Sequence, residues 1–461
     1  MSPAPGPLSG RLAGHATQVR FEQLPAATVA AARRALLDAV GVMQAASGMS
    51  PEVAPFIQLA SAGADASRAS ILGTGLRTSA ALAAFANGAM AHALDYEDAF
   101  DGAPVHPNAS LIPALLALAQ QRAPVSGREL LTAIAVGCDL VCRLGVSLRE
   151  DPARLGWYPP PILGAMGAVA GCARLLRLSS RQLLDAWSLM LLQNSCPGEI
   201  TSSADGVLRA VREAFPAQAA VVAVQLAEAG ITGFPAPFEG RAGFFHLFAA
   251  GKYDGQVLLH ELGESWFIEQ LSFKAWPSCR GTHAAIEATL RLREEHHLRP
   301  DEIIEVTVTG GPVHQMLAAP VERKQAPATS IDAKFSLPFT VATALCRGEV
   351  SLDSFGDEAR GNPEVLAMAR RVRFQVEQAW TGDATRGAVA LRLRDGRLLA
   401  QEITRPRGCP ASPMSDSQLV AKFVDCLARA RRPASAPEAL ALAERLLALE
   451  NEADSGSLFG T

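Results

Sequence analysis

The sequence predicts a mainly α-helical protein with an α+β second domain: a large all-helical domain, a smaller lid domain, and C-terminal helices that return to the helical part. Three observations carry this. Through residues 1–267, apolar positions recur at three- and four-residue spacing, the period of a helix with one buried face. Ile303–Thr309 (IIEVTVT) then alternates and is β-branched, which is strand chemistry. Helical spacing resumes after Pro406 and Pro410. The resulting boundaries are 1–267 for the helical domain, 268–407 for the α+β lid and 408–461 for the return. At 461 residues the chain exceeds the length, about 250–300 residues, at which one core stops growing.

The elements follow in order. Met1–Gly14 is rich in Pro, Gly and Ser and lacks an apolar core region, so it reads as an irregular lead-in rather than a signal peptide. Ala26–Ser47 and Ser79–Asp95 read as helices, the second capped by Thr78 or Ser79. Asn108–Gln121 follows a His-Pro pair. Ser126 with Glu129 makes a capping box for the next helix. Pro161–Leu175, Ser180–Asn194 and Val207–Gly230 continue the series. In the lid, Val372–Val376, Val389–Leu393 and Leu398–Ile403 join Ile303–Thr309 as strands, with Asp395-Gly396 as a hairpin turn. Helices at Thr282–Glu295 and Phe335–Cys346 interrupt them. Asp416–Ala430 and Pro437–Leu449 form the return.

Composition narrows the function. Lys plus Arg total 42 and Asp plus Glu 46, a net charge of -4, which argues against nucleic-acid binding. No run of about 18 uninterrupted apolar residues occurs, so no membrane span is expected. The eight cysteines form no C-x-x-C pair, which fits a reduced, cytoplasmic setting. There is no P-loop, no G-x-G-x-x-G after a strand, no H-E-x-x-H and no G-x-S-x-G.

Two polar clusters remain. His92, Asp95, Tyr96, Glu97, Asp98 and Asp101 precede His106-Pro107. His92, Asp95 and Asp98 are three apart and would share one helix face. Acids at a helix C-terminus oppose its dipole, so local stability does not explain them; an exposed acidic helix end is the alternative. The second cluster, Lys274 to His283, follows a strand-like run and opens a helix. Ser278 or Thr282 would cap that helix, and Lys274 and Arg280 would help its N–H groups hold an anion. His283 has the chemistry of a general acid or base. Arg209 and Arg212, three apart, suit a carboxylate, and Tyr158 sits in a stiff Pro-rich loop.

These clusters, in this order, resemble the MmgE/PrpD family, which includes 2-methylcitrate dehydratase, cis-aconitate decarboxylase and iminodisuccinate epimerase. The first signature, H-x-x-D-[FY]-[DE]-D followed by H-P, is matched by His92, Asp95, Tyr96, Glu97, Asp98, His106 and Pro107. The second, K-x-[YFW]-P-S-C-x-x-T-H, is matched by Lys274, Trp276–Cys279, Thr282 and His283. Phe238–Gly240 with Gly243–Phe245, and Ala333–Pro338, are lesser matches.

The resemblance implies a helical domain with a lid, an active site between them, a homodimer, and no metal or organic cofactor. It implies chemistry next to a carboxylate of a small di- or tricarboxylate, by a lyase and most simply a dehydratase, with an epimerase or isomerase as the alternative. Asp95, His106 and His283 fall on positions the family uses. With Tyr158 they form the expected catalytic set, His106 and His283 as acid and base and Asp95 orienting or tuning His106 or a neighbouring group. Arg212, Lys274 and Arg280 are expected to hold substrate carboxylates. Four positions depart from the family: Ala99, Arg212, Tyr158 and Phe339 replace Thr, Lys, His and Tyr, which counts against cis-aconitate decarboxylation. Two readings compete. Glu97–Asp101 imitates the D-D-x-x-D of Mg²⁺-dependent isoprenyl-diphosphate enzymes. The departures also fit a binding protein that has lost catalysis.

Overall fold

A computed structural model describes residues 8–62, 68–203 and 206–459. Helices dominate the first part. Ala26–Met49 runs through its centre and is buried along most of its length. Ala80–Ala93, Pro107–Gln121, Gly127–Ser147, Pro159–Leu175 and Ala214–Glu228 pack around one another. Small residues permit this closeness. A Cβ at Gly167 would stand 2.2 Å from Val141 Cγ2 and 2.5 Å from Gly137 O, so the helices of these residues touch backbone to backbone. Ser126 and Glu129 form the expected capping box, with Glu129 N on Ser126 Oγ at 3.3 Å and Ser126 N on Glu129 Oε2 at 3.2 Å.

The smaller domain carries a four-stranded sheet in the order Val372–Val376, Ile303–Gly310, Gly387–Leu393, Leu398–Ile403. The first pair is parallel and the other two antiparallel. Val306, Val308, Val389, Leu391 and Leu393 point into the core from alternate positions. Helix His283–His296 packs on this sheet, and its first residue is one of the expected site residues. The two parts are stitched at Ala99–Phe100, which pairs antiparallel with Leu271–Ser272. Helix Asp416–Ala428 returns to lie on Ala26–Met49.

Several expectations change. Leu8–Gln18 is a helix, with Leu12, Ala13 and Ala16 buried, so the irregular lead-in fails from Leu8 onward; Met1–Pro7 lie outside the described residues. The Pro/Gly content of the segment masked three apolar residues at helical spacing. Val207–Gly230 is two helices, Leu208–Val211 and Ala214–Glu228, with a break at Arg212-Glu213, four and three residues ahead of Pro216. Ser180–Leu191 ends three residues early. Among the described residues one helix, Gly127–Ser147, is long and apolar enough to cross a membrane, and 89% of its apolar window is packed inside the protein.

Candidate active site

The site is built on a turn, not on a helix face. Ser79 caps the helix Ala80–Ala93 by accepting from Leu82 N at 3.4 Å. The helix ends at Ala93, and Asp95 adopts a left-handed backbone, φ +48°, with its N–H on His92 O at 2.8 Å. That conformation costs a non-glycine residue about 1–3 kcal/mol and is kept where surroundings over-determine it. The chain then folds back over the helix end. His92, Asp95, Glu97 and Asp98 therefore meet in space because the helix stops, not because they share its face. All four are buried. The alternative of an exposed acidic helix end is ruled out by that burial.

Glu97 is the hub. One carboxylate oxygen, Oε1, holds His92 Nδ1 in a short hydrogen bond and lies 3.1 Å from His106 Nδ1. His106 Nδ1 is also 3.0 Å from Asp98 O. Both neighbours are acceptors, so Nδ1 carries the proton and Nε2 keeps its lone pair. The His106 side chain is 15% exposed, whereas His92 is fully buried. Burial pushes both imidazoles well below their ordinary range; Arg212 and Lys274 push the same way, Asp95 opposes them at His92 and Glu97 at His106. Both rings are neutral at neutral pH.

Lys274 neutralises the acids. Its Nζ donates to Asp95 Oδ1 at 2.5 Å and to Asp95 O at 3.1 Å, and lies 3.8 Å from Glu97 Oε1. Burial disfavours the ammonium, but Asp95 and Glu97 outweigh it and hold its pKa above the ordinary lysine value. Asp98 lacks such a partner. Burial, with Asp38 and Glu97 nearby, pushes its carboxyl up to about 8, and its Oδ2 accepts from Asn108 Nδ2 at 3.2 Å. His92, Asp95, Glu97 and His106 offer ligand atoms within 4.8 Å of one another and could hold a metal ion by donor type, but the Lys274 ammonium already bonds Asp95 there. The D-D-x-x-D reading fails on the same geometry: Glu97 serves two histidines, Asp98 stays protonated, and Asp101 is bound by Arg280.

Arg280 reaches across the domain boundary. Its Nε and Nη2 donate to Asp101 Oδ1 and Oδ2, both at 2.9 Å, and Ser272 Oγ donates to Asp101 Oδ2 at 2.6 Å. His283 is fully buried. Its Nε2 lies 3.2 Å from Ser278 O and its Nδ1 accepts from Arg280 Nη1 at 3.4 Å, which fixes the Nε2–H tautomer. Burial first, then Arg280, keeps it neutral. Neither Ser278 nor Thr282 caps the helix: their hydroxyls bond each other at 2.8 Å, and Thr282 Oγ1 donates to Cys279 O at 2.8 Å.

The cation face lies opposite in charge. Arg209 Nη2 donates to Tyr158 OH at 3.3 Å, and Arg212 stands 5.1 Å from the Tyr158 ring centroid. Burial disfavours charge on Arg212, but Tyr158, Glu213, Glu97 and Asp95 outweigh it and hold its pKa up. Its Nη1 donates to Arg209 O at 2.8 Å. Nη2 has no partner, and Nε lies 3.1 Å from Glu213 Oε1 without hydrogen-bond alignment. His92 Nε2, Asp95 Oδ2 and Glu97 Oε2 are likewise buried and unpartnered. Buried polar atoms are nearly always satisfied, so a concentration of exceptions marks a place where a polar ligand belongs.

Residues 10–256 match the MmgE/PrpD N-terminal domain model and residues 276–447 the MmgE/PrpD C-terminal domain model. The chain belongs to the MmgE/PrpD family. Over 447 residues, 91% of this chain and 90% of the relative, it is 25% identical to cis-aconitate decarboxylase-like protein oryM of Aspergillus oryzae. It is 26% identical to the human cis-aconitate decarboxylase over 355 residues, 74% of this chain and 71% of that enzyme. It is 24% identical to the cis-aconitate decarboxylase of Aspergillus terreus over 379 residues, 77% and 76% of the two chains. Within this MmgE/PrpD member, the expected residues divide. His106, Tyr158 and Arg212 present free or adaptable polar atoms, whereas Lys274, Arg280 and both nitrogens of His283 are engaged by protein groups. Ala99 lies in the short stitching strand, and Phe339 is buried near Phe355, ring centroids 6.1 Å apart. His92, Glu97 and Asp101 stood in the polar cluster read from the sequence but were not among the expected catalytic or substrate-binding residues. The signature covers His92 and Glu97 but not Asp101, and the roles of His92 and Glu97 depend on where the helix ends.

Proposed function

We propose that this protein is a lyase that breaks a bond next to a carboxylate of a small di- or tricarboxylate, most simply a dehydratase of the 2-methylcitrate type. The observation that carries this reading is a pairing of chemistries: a buried Arg212 whose Nη2 has no partner, and a neutral, partly exposed His106 whose Nε2 keeps its lone pair and whose ring feels the Arg212 charge. Removing a C–H proton next to a carboxylate builds negative charge on its oxygens. Arg212 supplies the counter-charge as a bidentate donor, and His106 takes the proton. Glu97 steadies the imidazolium that results, while Lys274 pairs with Asp95 and lies 3.8 Å from Glu97 Oε1. His283 steadies the departing hydroxyl with a hydrogen bond from Nε2–H, for which it must give up its bond to Ser278 O, and the proton that His106 took completes the leaving water. Arg280 fixes its tautomer. The resemblance supports a homodimer and a reaction free of metal or organic cofactor.

A second reading is an epimerase or isomerase, in which the proton returns from another side. Tyr158 supports it, because its hydroxyl is held by Arg209 in place of the family's histidine. One experiment separates the readings. The protein is incubated in D2O with EDTA and citrate, 2-methylcitrate, cis-aconitate, malate, tartrate or iminodisuccinate, and followed by NMR. A new alkene identifies the dehydratase and its substrate. Deuterium next to a carboxylate without an alkene identifies the epimerase. Silence across the panel sinks both.

A further inference from the structure

The chain contains five lysines, at 252, 274, 324, 334 and 422. Four are paired: Lys252 with Glu150 at 2.6 Å, Lys274 with Asp95 at 2.5 Å, Lys324 with Asp332 at 2.9 Å and Lys422 with Asp38 at 2.7 Å. Lys334 has no carboxylate within ion-pair distance among the described residues. It is 1% exposed, and its Nζ donates one hydrogen bond, to Pro277 O at 3.1 Å. The Phe355 ring centroid lies 4.0 Å from the nitrogen.

Lys334 sits on the wall of a cavity of about 440 Å³ between the two parts of the molecule. Met49, Glu52 and Leu94 form one side; Thr329, Phe355 and Arg360 form the other. The other charges on this wall are already engaged. Glu52 accepts from Ser50 Oγ at 2.6 Å, Arg360 bonds Asp357 at 3.0 Å, and Asp353 pairs with Arg429. His92, His106 and His283 do not line the cavity, which adjoins the site described above through Leu94 and the Lys334 side chain.

An ammonium buried without a counter-ion loses its hydration and gives up its proton more readily. Burial accordingly pushes Lys334 down to about 7, with Asp95 opposing and Lys274 adding to the fall. The contrast with Lys274, equally buried but held up by Asp95, isolates the missing carboxylate as the cause. A free lysine amine in a partly apolar cavity is a nucleophile towards carbonyl carbon.

We propose that Lys334 is the nucleophilic amine of a second ligand site, which takes small carbonyl compounds from the interdomain cavity as a Schiff base. The Nζ lone pair forms a C–N bond while the C=O π pair moves to oxygen. A proton passes from nitrogen to that oxygen, giving a carbinolamine. Loss of the hydroxyl together with the second N–H proton, as water, leaves the C=N bond. No electrons are transferred to or from outside.

The test uses the full chain, glyoxylate or acetaldehyde as the carbonyl, and sodium cyanoborohydride to trap the imine. Peptide mass mapping then reads all five lysines. An ordinary lysine of pKa about 10.4 is only about 0.04% free amine at pH 7. Lys334 is expected to carry at least ~10-fold more adduct than the exposed Lys252 at pH 7, with either carbonyl. Its labelling should level off above about pH 8 while that of Lys252 keeps rising. Lys334→Met should remove the selective adduct and leave the Lys252 labelling unchanged. Preferential labelling of Lys252 at pH 7, or an unlabelled Lys334 while Lys252 reacts, overturns the proposal. Neither outcome depends on the lyase chemistry.

Discussion

At His106 the two ring nitrogens do unequal work: Nδ1–H is spent on Glu97 and the Asp98 carbonyl, and Nε2 is left to react. His106→Asn is therefore expected to lower kcat by about 10²–10⁴-fold, the usual contribution of a positioned base. Glu97→Gln should cost less, because the base remains and only its orientation and the stabilisation of the imidazolium suffer. The base must be neutral to act, and its pKa lies well below 6.5. kcat/KM should hold level through neutral pH and fall only as pH drops through that lowered value. A fall centred at 6.5 or above would remove His106 as the base. Asp98 makes a different prediction. Its folded pKa of about 8 lies above the ordinary 3.8, so its contribution to stability is full below 3.8 and is lost as pH rises through 8. Asp98→Asn should make the melting temperature less sensitive to pH between 6 and 9. The sequence identified His106 and Asp95 correctly as neighbours in one cluster, but it could not assign Glu97 to His106. That contact depends on the left-handed turn at Asp95, and nothing in a spacing of three residues announces a helix end at Ala93.

Among the elements, the helical part depends on backbones packed without intervening side chains. Gly88 shows it as Gly167 does: a Cβ there would meet Glu213 O at 2.6 Å and Ala217 Cβ at 2.9 Å. Neither obstacle is a flexible side-chain end, so the helices themselves must move apart. Gly88→Ala and Gly167→Ala should each destabilise by about 1–3 kcal/mol, despite alanine's better helix propensity. The urea midpoint should fall with an unchanged m-value if the native state merely loses packing. Gly88→Ala should also disturb activity, because it presses on the turn that carries Arg212 and Glu213. The strands of the sheet were legible because alternation and β-branching are local. Helix Leu8–Gln18 and the break at Arg212-Glu213 were not. Both had local signals that neighbouring residues obscured: three apolar positions at helical spacing behind a Pro/Gly-rich start, and Pro216 within a run of small residues.

Across the whole molecule, Lys422 joins the returning helix to the site. Its Nζ donates to Tyr96 O at 2.7 Å and Lys274 O at 3.0 Å, pairs with Asp38 at 2.7 Å, and lies 3.7 Å from the Tyr96 ring centroid. One ammonium thus holds three segments that carry or flank the catalytic turn. Lys422→Met leaves Asp38 as an uncompensated buried acid and should destabilise by about 3–5 kcal/mol. The double variant Lys422→Met, Asp38→Leu should recover much of that stability, measured by a double-mutant cycle, but not the activity, since the Tyr96 and Lys274 carbonyls remain without their donor. Sequence reading placed the return of the C-terminal helices correctly. It missed Lys422 because the partners lie 326 and 148 residues away in the chain.

This arrangement also orders events in time. A ribosome delivers the helical part first, and those helices can begin to pack while synthesis continues. Asp38 and the carbonyls of Tyr96 and Lys274 must wait for residue 422 to emerge before they meet their cation. A nascent or clipped chain that stops short of the helix Asp416–Ala428 can therefore look folded and still be inert, which defers any reaction until almost the whole chain has left the tunnel.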